Sequence, residues 1–498
     1  VRTVAPGETV SVTSDILADF LPRTGAVSLS MSPFGALDVP GLLQALDRYP
    51  YGCSEQTVSR AMPLLYVNKL ASMEQLALDG ALEDRVKAAI ERVLTRQDSN
   101  GDFGLWSAGG SEDMWLNAYV TDFLTRAREQ GYAVPQKSFD SALDRLRNFV
   151  ANANDDTPGS PLAYAIYVLA RNGRPVMGDL RYLADRRVAS FDNALSRAQI
   201  AAALAMLGDR TRATSLFQQS VNVLAQAQDA RYSRSDYGSA ARDGAGALAL
   251  IAEAGLVETQ DGSPLMRANL AVEQAAGGQS YTSTQEKAWM ILAAQALAKA
   301  SGALQLSVDG QAHQGPFLRT WKDTALEGRA VTLINQSATP AHMVLTTSGN
   351  PIIPEPEAAQ GYQIERSFYR FGGKKLESNV VKQNERLVVV LKVTESEAKY
   401  ARLLLVDKLP AGLEIDNPKL VEGGSIEGLD WLKQDVEPAH TEYRDDRFVA
   451  AFNREGKQSA FFSVAYIVRA VAPGRYVLPP ATVEDMYRPE RFGRTAFG

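Results

Sequence analysis

The sequence predicts a multidomain α + β protein in which an α/α toroid is inserted into a small β domain and followed by a C-terminal β-sandwich. Three observations predict it. At 498 residues the chain exceeds what one hydrophobic core usually organises, so two to four domains are expected. Apolar residues recur with a helical period from about residue 38 to about residue 301, and with period two on both sides of that stretch. Within it, helical runs are each closed by Gly, Pro or Asn, which suggests stacked αα-hairpins, and a stack that closes on itself buries both of its ends.

The first thirty residues alternate as strands do, at Thr9-Val10-Ser11-Val12-Thr13 and Val27-Ser28-Leu29-Ser30-Met31, but they are too few for an independent sheet. They are expected to pair with strands far downstream, or to belong to a β domain that begins in a longer parent. Residues 1–35 are assigned to these first strands and 36–302 to the toroid. There, Arg85-Val86-Lys87-Ala88-Ala89-Ile90-Glu91-Arg92-Val93-Leu94 places apolar residues at i, i+3, i+4 and i+7. Further helical runs end at Asn172-Gly173, Gly208-Asp209 and Gly255. After Gly302 the period becomes two, in 304–308, 330–334 and 343–346, with turns at Asp309-Gly310 and Ser348-Gly349-Asn350-Pro351. Residues 303–354 are read as return strands of the small β domain, because domain termini commonly lie close together and tolerate such an insertion. Longer strands at 386–393, 401–406 and 461–468 assign 355–498 to a β-sandwich.

Composition narrows the functions. A hydrophobic share of 45% and a charged share of 22% are ordinary globular values, so neither disorder nor a fibrous chain is indicated. A net charge of -6 argues against a polyanion partner, nucleic acid included. No stretch approaches the ~20 uncharged apolar residues of a membrane helix, and Val1-Arg2-Thr3 shows no signal-peptide pattern, so the chain reads as soluble.

One cysteine, Cys53, lies in Tyr49-Pro50-Tyr51-Gly52-Cys53-Ser54-Glu55-Gln56. Two residues separate its thiol from the Gln56 carboxamide. The sulfur can attack that side-chain carbonyl, expel ammonia and close a ring of roughly 15 atoms, a closure that is entropically cheap at short separation. The product is an internal thioester, which stores an acyl group for an amine, a hydroxyl or water. The usual fate of a lone cysteine is that of a small buried apolar group without chemistry, and the Ser-Glu-Gln that follows sets Cys53 apart. Gly52 gives the backbone freedom to turn, and residues 57–62 continue as a helix. A thiol at a helix N-terminus feels the dipole, which aids ring formation and makes it a better leaving group, and the same amides can stabilise a tetrahedral oxyanion. Pro63 is expected to kink or restart this helix.

Tyr51 to Gln56 resembles the Gly-Cys-x-Glu-Gln element of the alpha-2-macroglobulin and complement superfamily, and the wider run Tyr49 to Arg60 looks like its bacterial branch. Ser54 stands where the animal proteins carry glycine, at a position that contributes only backbone. The segment from Gln97 to Trp106, then Trp115-Leu116-Asn117-Ala118-Tyr119-Val120 and Ser283-Thr284-Gln285-Glu286-Lys287-Ala288-Trp289, are similar to toroid segments of that family's thioester domain. Residues 407–415 and the tail Glu484-Asp485-Met486-Tyr487 resemble its terminal β domain, so the likeness covers essentially the whole chain.

The resemblance implies a CUB-like small β domain, a macroglobulin-like terminal sandwich and a bond between Cys53 and Gln56, with Glu55 part of the motif. It implies the C-terminal, thioester-bearing portion of a broad-spectrum proteinase inhibitor. Cleavage of a bait segment in the parent exposes the thioester, which couples the attacking proteinase through its amines. This is single-use acyl transfer rather than enzymatic turnover, with no cofactor and no metal. Tyr49, Tyr51, Trp106 and Trp115 are candidate shields of the thioester, as are Met486 and Tyr487 from the terminal domain. The tryptophans read more readily as core packing, and the Met-Tyr pair reads equally as a strand end serving its own sandwich. The family also implies a periplasmic location and a penicillin-binding protein as partner, and leaves open whether the parent is lipid-anchored to a membrane.

All three histidines, His313, His342 and His440, lie outside the toroid region. Complement proteins that prefer hydroxyl targets pass the acyl group through a histidine of the thioester domain. Direct attack by amines is therefore expected here, with hydrolysis competing. The same absence weakens a Cys-His hydrolase. Two other readings stay open: a toroid enzyme of glycosidase or terpene-cyclase type, although no Asp-x-Asp-Asp acid occurs, and a non-covalent scaffold whose thioester is lost.

Overall fold

The computed structural model describes residues 1–498 apart from 35–37, 49–51, 68–81, 111, 175–176, 227–233, 259, 261, 277–280, 298–303, 398–399, 419–425, 427–428 and 433–435. Two compact units emerge, the first carried by Val1–Asp229, Arg234–Gln279 and Thr284–Ile352, the second built on Ile353–Gly498.

In the first unit the N-terminal strands β1 (Arg2–Val4), β2 (Thr9–Val12) and β3 (Ala26–Ser32) pair with strands that follow the helical region: β4 (Gln305–Val308), β5 (Gln311–Gln314), β6 (Phe317–Lys322), β7 (Val331–Asn335) and β8 (Ala341–Ser348). One sheet runs β1-β8-β3-β6 and the other β2-β7-β4-β5. The antiparallel register sets Leu29 opposite Leu345 and Val10 opposite Leu333. The first thirty residues thus find their hydrogen-bond partners some three hundred positions downstream, as a sheet requires of strands too few to stand alone. Val10, Val27, Leu29, Leu306, Trp321 and Leu333 share one core. Strand β3 is buried at all seven positions although its sequence alternates. Helix α1 (Val39–Arg48) packs against β3 and β6, and this accounts for the burial of its serines.

The helices form a ring. Helices α2 (Ser54–Ala61), α4 (Met114–Glu129), α6 (Gly159–Arg171), α8 (Ala194–Met206), α10 (Ala240–Glu253) and α12 (Thr284–Leu297) each pack on the next, and the last packs on the first. Helices α3 (Leu82–Leu94), α5 (Gln136–Ala151), α7 (Met177–Arg186), α9 (Arg210–Gln226) and α11 (Pro264–Ala276), with α1, pack outside them. Sequence dictates which layer each joins. The inner helix α8 buries Ala194, Leu195, Ser196, Ala198, Gln199, Ile200, Ala201, Ala202, Ala203 and Leu204, so its apolar surface runs around the axis, whereas outer α3 buries only a stripe, Leu82, Val86, Ala89, Ile90 and Val93.

Four inner helices stop by one device. Gly131, Gly173, Gly208 and Gly255 take positive φ, and the next N–H returns to a carbonyl five residues back, as from Tyr132 to Ala127 and from Arg174 to Leu169. Only glycine adopts this conformation without a Cβ penalty, so these positions are where each inner helix turns outward. Helix α2 ends at Ala61, and Pro63 opens a 3₁₀ turn, Pro63–Tyr66, the restart that a residue lacking an N–H imposes.

The second unit is a sandwich. A four-stranded sheet, ordered β10-β11-β16-β13, comprises β10 (Tyr362–Arg370), β11 (Arg386–Glu395), β13 (Leu413–Ile415) and β16 (Phe461–Ala470). The six-stranded sheet runs β14 (His440–Tyr443), β15 (Arg447–Arg454), β12 (Ala401–Lys408), β17 (Ala481–Asp485), β18 (Arg488–Arg494) and β9 (Ala358–Gln360). Val389, Leu391, Leu403, Leu405, Phe452 and Val464 meet in the core between them. The Arg454–Glu395 ion pair, 2.6 Å, joins the sheets where both side chains are buried.

Candidate functional site

Cys53 is the N-cap of α2, in extended backbone at φ -63° and ψ 171°. That conformation aims its side chain along the helix start. The Gln56 N–H donates to Cys53 Sγ at 3.4 Å, and the Cys53 N–H donates to Gln56 Oε1 at 3.3 Å. This reciprocal pair is a capping box in which sulfur replaces the usual hydroxyl. It folds the Gln56 carboxamide back over the turn, on the same side as the thiol. Both side chains are 0% exposed.

The turn is clamped from outside. The Ser54 N–H donates to Leu105 O at 2.8 Å and its hydroxyl to Gly104 O at 2.6 Å. Arg96 donates to Gly52 O at 2.7 Å and to Ser54 Oγ at 3.3 Å. The 103–106 loop is itself anchored by the Phe103 N–H on Asn117 Oδ1, 2.8 Å, and the Gly104 N–H on Arg96 O, 3.0 Å. The run from Gln97 to Trp106 therefore frames Cys53, and Trp106 is half-buried at its end. A Cβ on Gly52 would lie 2.5 Å from Arg92 Nη1, the mobile end of a side chain on α3.

Glu55 turns the other way, into the ring. Its carboxylate accepts from Ser59 Oγ at 2.5 Å, Thr284 Oγ1 at 3.2 Å and Gln285 Nε2 at 2.8 Å. Ser59 Oγ also meets Tyr119 OH at 2.9 Å and receives Gln285 Nε2 at 3.0 Å. Burial, then the Glu55 carboxylate, pushes the Tyr119 phenol far above its ordinary range, so it serves as a neutral hydrogen-bonding group. The network ties α2 to α4 and α12 at the point where the ring closes, so its geometry and that of Cys53 are fixed together.

The candidate shield residues distribute unevenly. Tyr49 and Tyr51 lie outside the described residues. Trp115 sits in an aromatic core, its ring centroid 5.1 Å from Tyr119, 5.5 Å from Tyr164 and 5.2 Å from Tyr237, with the Arg242 guanidinium over it. Met486 and Tyr487 occupy the turn between β17 and β18 of the second unit and are buried there, Met486 N–H on Arg402 O and Tyr487 N–H on Asp485 Oδ1. Sequence reasoning missed Ser59, Arg92, Arg96, Thr284 and Gln285 as site residues. Thr284 and Gln285 were legible only as part of a family-like segment, and nothing local marks the arginines.

Elsewhere in the ring, Asp122 and Glu253 pair with Arg126, and Asp236 and Asp243 pair with Arg234 and Arg242. Carboxylates held in this way are poorly suited to the acid and nucleophile of a glycosidase. Among the described residues no group of three or more His, Cys, Asp or Glu is placed to hold a metal ion, and no helix is long and apolar enough to cross a membrane.

Residues 24–149 match the A-macroglobulin TED domain family, and residues 361–490 match the bacterial alpha-2-macroglobulin MG10 domain family. Alpha-2-macroglobulin of Escherichia coli K12 is 33% identical over 97% of this chain, which spans 30% of that protein's length. Among solved structures, native Escherichia coli alpha-2-macroglobulin from domain MG7 to the C-terminus superposes with a TM-score of 0.83 at 30% identity, covering 99% of this chain and 80% of that one. Salmonella alpha-2-macroglobulin reacted with methylamine gives 0.84 at 31% identity, covering 99% and 32%.

Proposed function

This chain belongs to the bacterial alpha-2-macroglobulins, and from that premise we propose that it carries the internal thioester of a proteinase trap. The observation that supports this reading most is the capping box that holds Cys53 Sγ and the Gln56 carboxamide together in a fully buried turn. The thiolate attacks the carboxamide carbon, the C–N bond breaks, and nitrogen leaves as ammonia with the proton lost by the thiol. The backbone N–H of Gln56, already directed at the sulfur, stabilises the thiolate that must form and later leave. A lysine amine that reaches the thioester then forms an amide with residue 56, and the Cys53 thiol is released. No histidine occurs in the helical region to intercept the acyl group, so the amine attacks directly.

Water must be excluded until triggering. The 103–106 loop supplies part of that cover, and Met486 and Tyr487 of the terminal sandwich are proposed to supply the rest, with Tyr49 and Tyr51 preceding the turn. The parent, cleaved by an attacking proteinase, would uncover the bond and be coupled to it, acting once and in the periplasm. The Salmonella relative's reaction with methylamine, a small primary amine, supports the same chemistry.

Intact mass tests it. Protein purified without amine buffers should be about 17 Da lighter than its sequence, the mass of ammonia lost on closure. Methylamine should then add mass at Gln56 and expose one alkylatable thiol at Cys53. An unshifted mass, with Cys53 alkylated at once in the native longer parent, would reject the thioester and favour a scaffold role.

A further inference from the structure

Spacing alone leaves residue 54 no role beyond its backbone, yet the Ser54 side chain is buried and its hydroxyl bonds in both directions. It donates to Gly104 O at 2.6 Å and accepts from Arg96 Nη1 at 3.3 Å, while Arg96 Nη2 donates to Gly52 O at 2.7 Å. Arg96 O in turn accepts the Gly104 N–H at 3.0 Å, so Ser54, Gly104 and Arg96 close a hydrogen-bonded cycle. The cycle joins the Cys53 turn, the segment that follows α3 and the 103–106 loop. That loop is tightly folded here, since a Cβ on Gly104 would run into Ser107 O. A residue without a hydroxyl at position 54 would keep the main-chain bond to Leu105 O, 2.8 Å, and lose the cycle.

We infer that Ser54 is a positioning residue that sets how long the thioester survives, by latching the 103–106 loop onto the turn through Gly104 O and Arg96. The inference rests on the thioester reading above. Cys53 and Gln56 are 0% exposed, so water or an amine reaches the acyl carbon when the cover opens locally. Deleting the hydroxyl takes a donor from Gly104 O and an acceptor from Arg96 Nη1, and the open state gains population by the worth of those bonds. Hydrolysis then adds water across the C–S bond, leaving a carboxyl at position 56 and the free Cys53 thiol. With methylamine the nitrogen forms the amide and its proton passes to the sulfur.

The test uses the native longer parent, purified without amine buffers, and follows release of the Cys53 thiol by alkylation, in plain buffer and in methylamine. Ser54→Ala should release it several-fold faster, up to about tenfold, as for a hydrogen bond removed. Ser54→Thr and Ser54→Val add the same bulk and differ in the hydroxyl. Ser54→Thr should therefore react more slowly than Ser54→Val by a similar factor, a difference that packing alone would not produce. Arg96→Met breaks the cycle from outside the turn and should accelerate release likewise, whether or not the Ser54 variants fold. A wild-type protein whose Cys53 is alkylated at once rejects the thioester and the latch together. A wild type that protects Cys53, with Ser54→Ala or Arg96→Met equally long-lived, or with Ser54→Thr as fast as Ser54→Val, overturns the latch and leaves the thioester standing.

Discussion

Two carboxylates of the first unit sit under opposite electrostatic regimes. Glu253, at the end of α10, faces Arg126 at 2.8 Å and Arg171 at 3.0 Å. Burial raises its pKa, but the two guanidiniums outweigh burial and hold it at about 2. Asp38, just before α1, has instead the Thr346 hydroxyl and the Gly41 N–H, and burial prevails, pushing it up to about 6. Neutral donors cannot repay the desolvation of a carboxylate as a cation can. Glu55, beside Cys53, accepts from the hydroxyls of Ser59 and Thr284 and from the amide of Gln285. The ring is thus braced by ion pairs where α4, α6 and α10 meet, and joined by neutral hydrogen bonds where it closes next to the candidate site.

Breaking the ion-paired side gives the largest expected effect. Arg126→Met leaves Asp122 buried and without its cation, which should cost about 3–5 kcal/mol in urea unfolding. A loss below about 1 kcal/mol would show that the pair is not a brace.

The two carboxylates should also respond to pH with opposite sign. Because the folded pKa of Asp38 is raised, its favourable contribution is complete below the unfolded value and is lost as pH rises through about 6. Stability should fall by about 2–3 kcal/mol over that window, and Asp38→Asn should flatten the curve there. Glu253 is depressed, so its contribution is present above its unfolded value and lost as pH falls through about 2. Glu253→Gln should change only that acid limb. Equal pH profiles for the two variants would contradict the assignment.

Ser59→Ala removes a donor from Glu55 and should cost about 1–2 kcal/mol. If the network also positions Cys53, the rate of methylamine labelling should change with it, whereas a purely structural role would move stability alone. Gly52→Ala is the mildest. The new Cβ meets the end of the Arg92 side chain, which can swing away, so a loss under about 1 kcal/mol is expected by the same unfolding assay. A larger loss would mean that the turn itself cannot accept a side chain.

Much of this was legible in the chain. The step from helical to strand period located the toroid and both sets of strands, and Gly173, Gly208 and Gly255 marked helix ends that the structure closes with left-handed caps. Cys53 and Gln56 were legible as a pair because three residues at a helix start bring an N-cap and an N3 side chain together whatever surrounds them. The partners of Glu55 were not. Thr284 and Gln285 lie 229 and 230 positions away and meet it only because α12 packs against α2.

The sequence by itself determined the periodicities, the helix stops and the reactive turn, all products of backbone and side-chain geometry within a few residues. Only the tertiary structure decided which strands complete the N-terminal sheets and which donors hold Glu55. Those contacts join segments tens to hundreds of residues apart, and closing the ring is what brings them within reach.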